Sequence, residues 1–172
     1  MNALISVWRK DRLLEFARGL IDLGYEIYAT EGTARFLRGH GLDVRRLSEI
    51  TGMTESKHIK TLHPEVFKRI YDGFFKIVVV NLYEDEMDVG GVAVLRAGVK
   101  MYKDVLVVCD PRDYKSVLER IKSGVNDEFK LKLAIKALEY IINYDRRFLD
   151  KLKENYSIEN WTISQKTEFF SF

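Results

Sequence analysis

The chain has 172 residues, 47% of them hydrophobic and 31% charged, which suits one globular domain with a sizeable core. A net charge of +2, with opposite signs interspersed, makes no case for nucleic acid, and the single cysteine, Cys109, excludes an intrachain disulfide or a cysteine zinc site. No apolar run approaches a membrane span and Met1 to Val7 is too short for a signal core, so a cytoplasmic protein off the membrane is expected.

Ala3 to Val7 reads as a short strand. Residues 11–23 carry Leu13, Phe16, Ala17, Leu20 and Ile21 at helical spacing and close on Gly24 as a C-cap. Tyr25 to Thr30 reads as a second strand, Gly32 to Arg38 as a second helix, and Asp43 to Leu47 as a third strand. This order predicts a parallel sheet with right-handed crossovers. Residues 48–62 show no period and read as a loop, and Pro64 suits the first turn of a helix over 63–71. The apolar run Ile77 to Val80 predicts a buried strand that surfaces at Asn81-Leu82-Tyr83, and a helix follows Asp88-Val89-Gly90-Gly91. Val105 to Cys109 predicts another strand, Asp110-Pro111 starts a helix to about Lys122, and a long helix begins at Asp127. The tail adds Trp161, Ile163, Phe169, Phe170 and Phe172, an apolar set suited to packing on the domain or on a partner. One domain is expected over 1–172.

Candidate chemistry gathers where strands hand over to helices, the edge at which open α/β sheets bind ligands. In Thr30-Glu31-Gly32-Thr33-Ala34, small residues and hydroxyls at a helix start suit a phosphate held by free N–H groups; equally, Thr30 serves as a plain N-cap. Lys10, just past strand one, is either a cation for phosphate or base, or a solvated lysine. His58 and His63 stand five apart with no nearby carboxylate pair, a poor metal site, so no metal is expected. Lys60 between them is a surface lysine, or an acid where burial or other cations lower its pKa. Asp88 is a helix cap or a base, and Tyr83 a core residue or a site hydroxyl.

The combination adds a resemblance. Ala-Leu-Ile-Ser-Val-x-x-Lys (3–10), Glu-Gly-Thr-Ala (31–34), Ile-Lys-Thr-Leu-His-Pro (59–64), Val-Val-Asn-Leu-Tyr (79–83) and Asp-Val-Gly-Gly-Val-x-x-Leu-Arg-Ala (88–97) occur in one order. Lys-Asp-Val-x-Val-Val-x-Asp-Pro-x-Asp-Tyr (103–114) and Asn-Tyr-Asp (143–145) follow. From about residue 3 to 155 the chain closely resembles the inosine-monophosphate (IMP) cyclohydrolase domain, the amino-terminal part of a bifunctional purine-biosynthesis enzyme. The resemblance implies the methylglyoxal-synthase-like fold, a doubly wound, mainly parallel α/β sheet with flanking helices. It also implies a homodimer. The family's chain continues into a transformylase introduced by an Arg-Tyr-Gly-Glu-Asn-Pro-His run; without that run here, a stand-alone cyclohydrolase is expected, with formyl transfer by a separate protein.

Carried over by position, the resemblance places Lys60, Tyr83, Asp88 and Lys100 on catalytic positions. It places Lys10, Thr30, Glu31, Gly32, Thr33, His58, Ile59, Thr61, Val80, Asn81 and Val89, with Asp88, against the nucleotide. The implied reaction closes 5-formamidoimidazole-4-carboxamide ribotide to IMP and water, with Asp88 as base, Lys60 and Tyr83 as acids and no cofactor. The chain departs from the pattern at Glu31 (for glycine), His58 (for arginine), Phe67-Lys68-Arg69 and Met101-Tyr102. Glu31 is expected to point outward or to pair with Lys10 or Arg35. On a straight helix Asp88 and Lys100 stand about 18 Å apart, so Lys100 joins the site only if a glycine bends the path or a second subunit supplies it. The alternative reading is a non-catalytic module of the same fold that binds purine nucleotides or phosphorylated effectors.

Overall fold

The structure is a computed structural model that describes residues 1–55 and 60–155. Five strands form one sheet: β1 (Asn2–Val7), β2 (Glu26–Ala29), β3 (Arg45–Arg46), β4 (Phe75–Asn81) and β5 (Leu106–Val108). All four pairings are parallel and the order is β3-β2-β1-β4-β5. The chain winds outward from β1 through β2 to β3, then returns to the other side of β1 as β4. The switch point therefore lies between β1 and β4, paired from Leu4↔Val78 to Val7↔Asn81.

Helices cover both faces, which is why β1 and β4 read as nearly continuous apolar runs. Side chains alternate across the pleat. Ala3, Ile5, Val7, Ile77 and Val79 face a layer built from α1 (Leu13–Asp22), α2 (Glu31–Gly39) and α6 (Tyr114–Ser123), through residues such as Phe16, Leu37 and Val117. Leu4, Val78 and Val80 face α4 (Pro64–Tyr71), α5 (Val89–Lys100) and α7 (Asp127–Asn155), through Ile70, Leu95 and Ile141.

Element order and type follow the sequence, with differences at three places. Residues 48–62, read as a loop, hold a single helical turn, α3 (Ser48–Thr51), too short to show a period. The third strand shrinks to two exposed residues because β3 is an edge strand paired only through Tyr28↔Arg45 and Ala29↔Arg46. After Asp110 the chain makes a 3-10 turn (Pro111–Asp113) before α6, since the Asp110 carboxylate accepts from the Arg112 N–H at 2.8 Å.

Candidate functional site

An open cleft of about 730 Å³, counting space open to solvent at its mouth, lies over the carboxyl ends of β1 and β4 at the switch point. β1 supplies its back wall through Ser6 and Val7, with Trp8 just beyond the strand. The turn after β1 is held by one side chain from β4: Asn81 Oδ1 accepts from the N–H groups of Trp8 and Arg9, the latter at 3.0 Å, while Nδ2 donates to Arg9 O at 2.9 Å. Asn81 is thus spent on positioning the loop that carries Lys10. The Lys10 ammonium folds back, donating to Val7 O and, at 3.2 Å, to Trp8 O. Burial, and then the nearby Lys60 charge, lower its pKa to about 8.

The opposite wall comes from the end of β4 and the start of α5. The Lys60 Nζ donates to the Tyr83 hydroxyl and lies 4.5 Å from the centre of that ring. Trp8 packs edge-on against Tyr83, with centroids 4.9 Å apart. Asp88 caps α5: its carboxylate accepts from the Gly91 N–H at 2.7 Å and also from the Tyr83 backbone N–H. Burial raises the Asp88 pKa above the ordinary aspartate range; the Gly91 and Tyr83 N–H groups and Lys60 oppose that rise, and Glu86 adds to it.

The paired glycines follow from this packing. A Cβ on Gly91 would lie 2.6 Å from Asp88 Oδ2, and one on Gly90 would lie 2.6 Å from Thr61 Oγ1. Neither position has room for a side chain while the carboxylate and the buried Thr61 stay in place.

The third wall is the start of α2. Thr30 lines the cleft, and its hydroxyl is 3.4 Å from those of Ser6 and Thr33. Thr33 is 1% exposed; its hydroxyl donates to Val7 O at 3.3 Å and accepts from Val7 N–H at 3.4 Å, which ties α2 to β1. The Glu31 carboxylate turns to Arg46 on β3, 3.3 Å away, rather than to Lys10 or Arg35. The Glu31 N–H is taken by the Glu55 carboxylate at 2.9 Å.

The structure therefore gathers Lys60, Thr61, Tyr83, Asp88 and Val89 around one cleft with Thr30, Asn81 and the two glycines, and sets Lys10 beside it. Exposed Gly32 stands in the first turn of α2. The Val80 side chain faces the core, 1% exposed, leaving only its backbone toward the ligand edge. α5 runs unbroken to Lys100, whose exposed ammonium sits 5.7 Å from the Tyr71 ring centre, away from the cleft within one copy. His58 and Ile59 lie outside the described residues, as does the tail from Ser157 to Phe172. Ser6, Trp8 and Glu55 were not among the expected site residues. Trp8 falls on an unspecified position of the first motif, and Glu55 lies in a stretch without periodicity.

Among the described residues no group of three or more His, Cys, Asp or Glu is placed to hold a metal, and no helix is long and apolar enough to cross a membrane. Comparison with known proteins places the fold in a lineage. Residues 12–103 match the family model of the MGS-like domain. The chain belongs to the MGS-like domain family. Residues 98–170 of this MGS-like chain also match a model described as AICARFT/IMPCHase bienzyme. The bifunctional purine biosynthesis protein PurH of Aquifex aeolicus (strain VF5) is 35% identical over 195 residues, covering 94% of this chain and 38% of the relative. PurH of Caldicellulosiruptor saccharolyticus is 35% identical over 188 residues, covering 88% and 37%. The chain thus spans well under half the length of these curated relatives. Among solved structures, the crystal structure of ForH superposes with a TM-score of 0.80 at 28% identity, covering 88% of this chain and 96% of that one.

Proposed function

We propose that this MGS-like domain is an IMP cyclohydrolase, which closes 5-formamidoimidazole-4-carboxamide ribotide to inosine monophosphate with loss of water. The observation that carries the reading is the meeting of Lys60, Tyr83 and Asp88 in one cleft at the sheet's switch point, beside the start of α2. The similarity to PurH and to the AICARFT/IMPCHase model supports it.

In this reading the ribotide phosphate lies toward Lys10 and the start of α2, with the imidazole over β1 and β4. A carboxamide nitrogen is a weak nucleophile, so its attack on the formyl carbon needs a base for the proton it sheds. Asp88 is that base. Its burial makes the carboxylate more basic than an exposed one, and a carboxylate that accepts two N–H bonds retains lone pairs for a third partner. The formyl oxygen gains negative charge and then a proton as the new C–N bond forms. The Lys60 ammonium, already donating to the Tyr83 hydroxyl, faces that charge and supplies the proton directly or through Tyr83. In the second half the carbon–oxygen bond breaks and water leaves. The nitrogen that carried the formyl group gives up its own proton to complete the ring.

Two copies assemble in this reading. A row on α7 supports it: Leu131, Ile135, Leu138 and Ile142 recur at the three- and four-residue spacing of a coiled-coil seam, and Leu149 and Leu152 resume it beyond Asp145, each of the six 43 to 51% exposed. Such an assembly also offers the route by which Lys100 reaches a cleft, from the second copy. Purified protein incubated with the formamido ribotide tests the activity: IMP is expected to form without any added cofactor, whereas IMP binding with no turnover would make the domain a nucleotide sensor.

A further inference from the structure

The two groups proposed to move protons on the β4–α5 side, Tyr83 and Asp88, sit on a loop, and a loop holds catalytic geometry only if something rigid pins it. The pin is on α7, distant in sequence. Tyr140 and Tyr144 are one turn apart, separated by about 6 Å along the axis. The Tyr140 hydroxyl accepts from the Leu82 N–H at 3.0 Å, immediately before Tyr83. The Tyr144 hydroxyl accepts from the Asp88 N–H at 2.7 Å and donates to Glu86 O at 3.0 Å. One tyrosine holds the loop where it leaves β4, and the other holds it where it enters α5.

We infer that Tyr144, assisted by Tyr140, is a positioning residue that fixes the Asp88 carboxylate in the cleft through the Asp88 and Glu86 backbone. Packing alone does not account for a tyrosine at 144. Its ring is 2% exposed among apolar neighbours, an environment that Phe148 fills one turn later on the same face without a hydroxyl. The hydroxyl at 144 makes two bonds, both to the loop, and both close within three residues of the proposed base. The carboxylate is then aimed from two directions, by the Gly91 N–H on α5 and by the anchored amide of its own residue. The groups facing that carboxylate are Lys60, Tyr83, Glu86 and Tyr144, so its titration reports on this arrangement.

The inference rests on the cyclohydrolase reading for what Asp88 does, but not for where Asp88 is held. Its test therefore has two readouts. In Tyr144→Phe the loop relaxes toward solvent and the carboxylate loses part of the burial that raises its pKa. We expect kcat to fall by about tenfold to a hundredfold with KM little changed, and the acid limb of the rate profile to move to lower pH. Carbon-13 titration of the Asp88 carboxyl in the free protein, assigned by difference from Asp88→Asn, should move the same way without any substrate. Tyr140→Phe, which loses one bond at the far end of the loop, should show a smaller change in the same direction. Leu133→Ala, on the same helix but in the other core layer, is the control: it lowers the melting temperature but leaves kcat and the Asp88 titration unchanged. An unchanged Asp88 titration in Tyr144→Phe would overturn the inference, and so would an equal shift in Leu133→Ala. A wild-type protein that turns over no ribotide would remove the cyclohydrolase reading, while the carboxyl titration still decides the anchoring.

Discussion

The Glu55 carboxylate accepts a hydrogen bond from the backbone N–H of Glu31 at 2.9 Å. A side-chain anion thus occupies the start of α2, where the proposed reading puts the substrate's phosphate. The arrangement is not a comfortable one for Glu55. Burial raises its pKa, and its other oxygen, Oε1, is buried without a hydrogen-bond partner among the described residues. A phosphate arriving at α2 must displace this carboxylate, so Glu55→Ala is expected to tighten IMP binding several-fold. Glu31, already turned to Arg46, should matter less, and Glu31→Gly should change affinity by only a few-fold. Calorimetric titration of IMP against both variants checks the order; weaker binding in Glu55→Ala would mean that the carboxylate helps build the site.

Lys10 gives the site a pH dependence on the alkaline side. Its pKa of about 8 in the free protein means that the ammonium is present at neutral pH and lost as pH rises through that value. The phosphate of a nucleotide is a dianion across the same range and does not titrate there, so it adds no slope of its own. Affinity for IMP is therefore expected to fall between pH 7 and pH 9 for the wild-type protein. Lys10→Arg, whose cation persists, should flatten that fall. A wild-type affinity that is level across the range would place Lys10 away from the phosphate.

Most of the sheet was legible because β1, β4 and β5 are buried on both faces and read as short apolar runs bounded by turn residues, whereas the exposed edge strand β3 was over-extended. The site was legible in part. Asp88, Gly90 and Gly91 adjoin in sequence because one capped helix start needs all three, so a local motif carried them. Tyr144 and Glu55 bond to backbone amides distant in sequence; the Asn-Tyr-Asp run marked Tyr144 without giving it a role, and nothing local marked Glu55. Asn81 looked like a ligand residue by position, yet its side chain is taken up by Trp8 and Arg9. Thr33 looked like a free hydroxyl, and β1 holds it. In both cases the sequence marked the right edge of the sheet without saying which side chains stay available there.

Lys100 divides one-copy from two-copy accounts of the site. α5 carries it to the far end from Asp88, next to Tyr71, so its participation requires a second subunit. Lys100→Ala and Asp88→Asn copies, each expected to be nearly inactive alone, should then complement on mixing. A site built from Asp88 of one copy and Lys100 of the other would restore up to about a quarter of the wild-type rate, since half the dimers are mixed and each has one intact site. If no activity returns although light scattering shows exchange of subunits, Lys100 acts within its own copy or not at all. Ile142→Lys, on the exposed row of α7, should lower the mass seen by light scattering from dimer to monomer without lowering the melting temperature.

The most direct test of the account is the rate at which the purified protein converts 5-formamidoimidazole-4-carboxamide ribotide to IMP, measured beside Asp88→Asn. Asparagine keeps the shape and still caps α5, but it accepts no proton. The account predicts turnover by the wild-type protein, with an acid limb above the ordinary aspartate range because burial raises the Asp88 pKa. It predicts a loss of about 10²- to 10⁴-fold in kcat for Asp88→Asn with IMP affinity nearly unchanged. Equal rates for the two proteins would contradict it, leaving Asp88 a helix cap and the cleft a place where nucleotides bind without reacting.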